Sequence, residues 1–334
     1  MPALSVLIPV RNAALTVDEA LASIAAQTFT DWEALLVDDG STDDSGQRLQ
    51  AWARRDSRFR VLRGRGSGIV AALNQALAEA RATVLARMDA DDLSLPQRFA
   101  LQMARLAAGD VSAVGCRVRF FPDHRVADGA RRYESWLNSL LTPEEHDRDL
   151  FVECPLAHPS MLLRAAAVRE VGGYQAHGWP EDYDLLFRLW MAGHRLAKCP
   201  QELLLWREGE GRTSRTHPDY TPEAFYRCKA HYLARTHLRD GVPAVVFGAG
   251  PVGKAIARAV LTEGARLLAF VDVDPRRIGQ RIHGAPVLDQ QTGFRLRGQA
   301  FGLAAMGRPE ARAELRDALL RAGWKEKTEF RCVS

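Results

Sequence analysis

Short apolar runs separated by longer amphipathic stretches, repeated through the first ninety residues, constrain this chain more than any other feature. Ala3 to Pro9, Trp32 to Asp38, Phe59 to Arg63 and Thr83 to Met88 read as strands, and Leu15 to Gln27, Gly46 to Arg55 and Gly68 to Arg81 as the helices between them. Strands that are apolar on both faces need cover on both faces, and helical crossovers supply it. The pattern therefore predicts an α/β fold with a mainly parallel sheet. Ligands in such sheets sit beyond the carboxyl ends of the strands. Those ends carry Pro9-Val10-Arg11-Asn12, Asp38-Asp39-Gly40-Ser41 and Asp89-Ala90-Asp91-Asp92, three polar clusters on one edge.

From Leu95 to about Asp240 the rhythm loosens. A helix at Pro96 to Ala107, strands near Val111 to Phe121 and Ser160 to Arg164, and helices at Glu181 to Ala192 and Pro222 to Leu238 are predicted, with an irregular polar region around Trp136 and Glu144 to Asp149. After Asp240-Gly241 a fresh strand, Val242 to Phe247, runs into a glycine turn and a helix, and a second strand follows at Leu267 to Val271. The expected domains are residues 1–240 and 241–334, two units being ordinary for 334 residues.

Several classes are set aside. No run of eighteen apolar residues occurs, so no membrane-spanning helix is expected. Met1-Pro2-Ala3 enters the first strand without the basic region of a signal peptide. Five scattered cysteines form no C-x-x-C pair and fit a reducing cytoplasm, with peripheral contact at the inner membrane surface compatible. The net charge of +4 does not point to nucleic acid as a partner. Only five of the 45 basic residues are lysine, so a single arginine says little about phosphate.

The clusters carry the chemistry. Asp89 and Asp91, one residue apart at a strand end, can share a hard divalent cation whose remaining positions a diphosphate fills; the bland reading is a solvated acidic turn. Ser41, Thr42 and Asp43 are good helix caps, and an aspartate beside them can accept the imide N–H of a uracil or thymine base. Glu181-Asp182-Tyr183-Asp184 opens a helix, where acidic residues favour the dipole, but a carboxylate there can also act as general base toward an acceptor hydroxyl. Gly178-Trp179-Pro180 beside it offers an apolar wall for a sugar ring.

In order and spacing, residues 4 to about 215 resemble the family 2 glycosyltransferases, which have the GT-A fold. The matching stretches are Ser5 to Asn12, Val37 to Asp43, Gly68 to Asn74, Ala86 to Asp92, Pro96-Gln97-Arg98, His158-Pro159-Ser160, Gly172-Gly173-Tyr174 and Glu181 to Asp184. The resemblance implies a nucleotide-sugar donor and a glycan, lipid-linked or other hydroxyl acceptor in cell-surface glycan or glycoconjugate synthesis. It implies a nucleotide pocket lined by Pro9, Arg11 and Asp39, and Mg²⁺ or Mn²⁺ held by Asp89 and Asp91 with Asp91 the closer ligand. Asp182 would be the catalytic base of a single displacement that inverts the anomeric carbon. The chain departs from many relatives in one place. Leu205 to Glu210 lacks a histidine two residues after an arginine, although Arg207 remains to contact phosphate; His217 is nearby in sequence. The Q-x-x-R-W signature of processive synthases is absent, so polysaccharide extrusion is not expected.

The second unit carries G-x-G-x-x-G at Gly248, Gly250 and Gly253, after a strand and opening a helix, with Asp272 nineteen residues on. It looks like a truncated Rossmann unit in which the glycines approach a phosphate and Asp272 a ribose hydroxyl, or else a purely structural turn. Two rival functions follow: an NAD(P)-dependent oxidoreductase, which leaves the acidic clusters without a role, and a non-catalytic sugar-nucleotide binding protein, which the intact Asp89, Asp91 and Asp182 disfavour.

Overall fold

The computed structural model describes residues 1–209 and 212–334. Contacts group them into two compact units. The first comprises residues 1–147, 155–177 and 181–212, and the second residues 148–154, 178–180 and 213–334.

The first unit is built on eight strands: β1 (Leu4–Val10), β2 (Trp32–Asp38), β3 (Phe59–Arg63), β4 (Val84–Arg87), β5 (Leu93–Ser94), β6 (Ala113–Phe121), β7 (Leu162–Arg164) and β8 (Leu196–Arg207). Their order is β3-β2-β1-β4-β7-β6-β8-β5. β3, β2, β1 and β4 run parallel, as the apolar runs predict, while β7 and β5 enter antiparallel and make the sheet mixed. Leu4, Val6, Ile8, Ala34 and Leu36 are fully buried, with Val17, Leu21 and Ile24 of the helix Val17–Ala25 in the same core. Burying such a side chain contributes about 1.5–3 kcal/mol, which fixes the register of the central strands and so the alignment of their polar ends.

Two elements differ from the sequence reading. The twelve-residue β8 was not expected, because Pro200-Gln201-Glu202 interrupts its apolar run. Pro200 has no N–H for the ladder, and the pairing with β6 shifts there, from Cys116↔Cys199 to Arg117↔Glu202. The region read as irregular around Trp136 contains the helix Asp128–Ser139, of which only Leu137 is fully buried. Asn138 fastens that helix to β6: its Oδ1 accepts from Val118 N–H at 2.9 Å and its Nδ2 donates to Val118 C=O at 2.7 Å.

In the second unit β9 (Ala244–Phe247), β10 (Leu267–Val271), β11 (Arg281–Ile282), β12 (Ala285–Leu288), β13 (Phe301–Ala304) and β14 (Phe330–Cys332) form a sheet of order β11-β12-β10-β9-β13-β14. All pairs are parallel except β11 with β12. The helix Pro222–Arg235 packs on the helix Pro251–Thr262 of this unit, although the restart of the motif placed it on the other side of the boundary. Two short segments that interrupt the sequence of the first unit also belong here. Asp149 pairs with Arg316 at 2.5 Å, and the buried Lys229 Nζ donates to Val152 C=O at 2.7 Å. All five cysteines are buried and free, and among the described residues no helix is long and apolar enough to cross a membrane.

Candidate functional site

The carboxyl ends of β1 and β2 lie side by side, with Asp39 N–H donating to Val10 C=O at 2.8 Å. Pro9 is half-buried and Arg11 exposed at that edge. The buried Asp39 uses both carboxylate oxygens locally: Oδ1 accepts from Ser67 N–H at 3.1 Å and Oδ2 from Gly68 N–H at 2.8 Å. The loop after β3 is thereby drawn over the strand ends. This approach needs Gly64, where a Cβ would stand 2.9 Å from Asp39 Cα. A cavity of about 410 Å³ opens here, lined by Asp39, Arg63, Arg65, Ser67 and Gln75. Arg63 and Arg65 were not among the predicted site residues. Their signal was two arginines around the end of the third strand, one closing it and one two residues on, hidden in a chain where arginine is the default cation.

Past the end of β4, Asp89, Asp91 and Asp92 each bring a carboxylate oxygen to within 4.8 Å of the others. Asp89 and Asp91 are half-buried and Asp92 is buried. Burial first, and then the Asp89 carboxylate, push Asp91 up to about 6. Burial, with Asp91 and Asp89 beside it, drives Asp92 well above the ordinary carboxylate range. Crowded acids of this kind repel one another until a proton or a cation relieves them. Asp92 Oδ1 accepts from Arg207 N–H at 2.7 Å, whereas its buried Oδ2 has no hydrogen-bond partner among the described residues. An all-oxygen set with an orphaned oxygen fits a hard divalent cation such as Mg²⁺ or Mn²⁺. Asp92 is an addition to the predicted pair, and its place as the fourth letter of Asp89-Ala90-Asp91-Asp92 was the available clue.

Arg207 closes over this cluster from β8. Its Nε donates to Asp91 C=O, it pairs with Glu19, and its guanidinium lies 4.5 Å from the centre of the Phe121 ring. Arg212, whose charge also steadies Asp91 and Asp92, lies 4.6 Å from the Trp206 ring centre and pairs with Glu208 at 3.3 Å. Glu210 of the segment inspected for a histidine falls outside the described residues. His217 belongs to the second unit and caps the turn Pro218–Tyr220, its ring accepting from Asp219 N–H.

Three further motifs meet behind the acidic cluster. His158, Tyr174 and Glu181 are all buried; His158 lies 3.2 Å from the Tyr174 hydroxyl and 3.4 Å from Glu181 Oε1. Arg87, buried on β4, pairs with Asp89. Burial opposes its charge, but the carboxylates of Asp89 and Glu181 override that cost and raise its proton affinity. Asp182 stands at the start of the helix Glu181–Met191. Burial and then the Glu181 carboxylate push it up to about 8, with the Arg87 charge working the other way. The same motif's Asp184 has a different task. It holds Arg188 at 2.7 Å, and Arg188 donates to the Val171 and Gly173 carbonyls of the glycine turn. Asn74 secures the other side of that turn through both backbone groups of Tyr174. Trp179 packs on His231 within the second unit, their ring centres 5.0 Å apart.

Residues 5–172, half of the chain, match the sequence profile of Glycosyl transferase family 2. The amylovoran biosynthesis glycosyltransferase AmsE of Erwinia amylovora is 31% identical over 196 residues, covering 58% of this chain and 70% of that protein. The uncharacterized protein y4gI of Sinorhizobium fredii is 28% identical over 81% of this chain, which spans only 29% of that longer protein. Among solved structures, S. aureus TarS 1–349 in complex with UDP-GlcNAc superposes with a TM-score of 0.58 at 17% identity, over 77% of this chain and 71% of that one. The mannosyltransferase PcManGT of Pyrobaculum calidifontis, in complex with GDP-Man and Mn²⁺, gives 0.52 at 20% identity, over 78% and 69%. These likenesses bear out the α/β GT-A fold, and the profile match decides the kinship: the chain belongs to glycosyltransferase family 2.

Proposed function

We propose that this chain moves a sugar from a nucleoside-diphosphate sugar to an acceptor hydroxyl, with inversion at the anomeric carbon, in the cytoplasmic synthesis of a surface glycan or glycoconjugate. The observation that carries the reading is the pairing of a crowded carboxylate cluster at the end of β4 with Asp182, a second acid tied to it through Arg87. The cavity beside Asp39 would take the nucleoside, with Arg63 and Arg65 as its cationic rim and Pro9 and Arg11 at its edge. Asp89, Asp91 and Asp92 would hold a divalent cation, which supplies counter-charge for the leaving diphosphate. Arg207 and Arg212 add fixed positive charge on the same side.

Asp182 accepts the acceptor's hydroxyl proton as the oxygen bonds to the anomeric carbon. The bond from that carbon to the diphosphate oxygen breaks, and its electron pair leaves with the diphosphate. Attack from the face opposite the leaving group inverts the centre. No covalent sugar–enzyme bond is needed, because one carboxylate serves as base and none as nucleophile.

UDP-, GDP- and dTDP-sugars tested in turn should single out one nucleotide, whose diphosphate is released when Mn²⁺ is present and withheld when EDTA is added. Absence of release and of heat from every donor would sink the reading. A second expectation concerns pH. A base must be ionised to act, and Asp182 ionises near 8. At saturating donor the rate should climb about tenfold per pH unit up to that value and then level off. A flat profile from pH 6 upward would place the base elsewhere.

A further inference from the structure

We infer that the second unit holds its own binding site, for one nucleoside phosphate, with the phosphate seated between Gly250, Arg277 and Arg308. The site goes beyond the transfer reaction and does not depend on it. A cavity of about 420 Å³ lies at the carboxyl ends of β9, β10 and β13. The chain leaves β9 for β10 on one side and later returns to β13 on the other, so the cavity sits where the strand order reverses. Open α/β sheets take ligands at that crevice, because the helices start on opposite faces and leave a gap. Its volume is near the lower end of the roughly 300–1,000 Å³ of small-molecule sites, which suits one nucleotide better than a dinucleotide.

The three glycines differ in what a side chain would meet. A Cβ at Gly253 would stand 1.7 Å from Gly248 C=O, and one at Gly248 2.7 Å from Ala305 C=O. Both are therefore explained by packing alone. Gly250 is not. Its φ of −77° suits any residue, and a Cβ there would meet nothing nearer than Arg277 Nη1 at 3.8 Å. The missing side chain leaves open space in the cavity wall, at the start of the twelve-residue helix Pro251–Thr262. Pro251 has no N–H, so the open donors at that end belong to Val252 and Gly253.

The charges sort in the same direction. Asp272 Oδ2 accepts from Ala249 N–H at 2.8 Å and from Arg277 at 2.9 Å, and its Oδ1 accepts from Asp274 N–H. That carboxylate braces the glycine turn from within. Asp274 is engaged by Arg276. With Asp272 paired to Arg277 and Asp274 to Arg276, the net charge left to the cavity is that of Arg308, while Arg277 keeps further N–H donors. Arg308 is exposed and has no ion-pair partner among the described residues. Val252, Met306 and Leu315 give the rest of the cavity apolar walls for a base.

The test is hydrogen exchange on the full chain with UMP, GMP, AMP, NAD and inorganic phosphate as separate probes. At least one mononucleotide should protect residues 248–254, 272–277 and 305–308 beyond any protection around Asp39 and Ser67. Gly250→Val should weaken that binding tenfold or more with an unchanged melting temperature, and Arg308→Ala should weaken it by about tenfold through loss of one charged contact. The inference is overturned if no nucleotide protects this region, if only NAD or bare phosphate does, or if Gly250→Val binds like the wild type. Protection confined to Asp39 and Ser67 overturns it while leaving the transferase reading intact. Protection here by a mononucleotide supports the inference whatever the outcome at Asp39, because the transferase reading is tested separately by donor release with Mn²⁺.

Discussion

Asp91→Ala should reduce metal-dependent turnover about a thousandfold while leaving the chain folded. A cation that offsets charge on a leaving diphosphate contributes several kcal/mol to the transition state, and about 4 kcal/mol corresponds to that factor. The stability change has a definite sign. Asp91 has its proton affinity raised from 3.8 to about 6 in the folded chain. The ionised group therefore costs stability, increasingly as pH rises through that window. Without metal at pH 8, the alanine variant should be as stable as the wild type or more so. Mn²⁺ should raise the melting temperature of the wild type and not of the variant, since an ion stabilises only a fold that binds it. Turnover close to wild type, or an undiminished Mn²⁺ shift, would remove Asp91 from the metal site.

Asp182→Asn should lower kcat by about a hundredfold to ten-thousandfold, the range for losing a general base. The donor's KM should change little, because the base acts on the acceptor. Asparagine keeps the shape and the acceptor oxygen that Tyr183 N–H uses at 2.7 Å, so the helix start should survive. The variant's residual rate should also lose its rise toward pH 8. If calorimetry shows donor binding abolished while the rate at saturation survives, Asp182 touches the donor and another group takes the proton.

The parallel half of the first sheet was legible because its strands are apolar on both faces, so β1 to β4 fall within a residue or so of their expected limits. The mixed half was not. β8 pairs across a proline, and the helix Asp128–Ser139 buries too little for a stripe to stand out. Among the candidate residues, Asp39, Asp89 and Asp91 could be singled out because each follows an apolar strand, and Asp182 because it opens an amphipathic helix. The connections behind them were hidden, since Arg87, His158, Tyr174 and Glu181 meet only through folding of distant segments. Asp272 was visible by spacing, but spacing could not tell that its oxygens are already engaged by Ala249, Asp274 and Arg277.

Residues 148–154 and 178–180, both interrupting the sequence of the first unit, are part of the second unit. They decide where this chain can be divided. No single cut frees the C-terminal portion whole. Breaking after residue 212 takes Val152 from Lys229, leaving a buried ammonium short of an acceptor, and breaking after either 212 or 240 takes Asp149 from Arg316. Breaking at 240 also strips off the helix Pro222–Arg235. A join of this C-terminal sheet to another transferase would have to carry counterparts of residues 148–154 and 178–180 with it. Chimeras joined after residue 212 or 240 should therefore melt at a lower temperature than the intact chain, because each join parts contacts within the second unit.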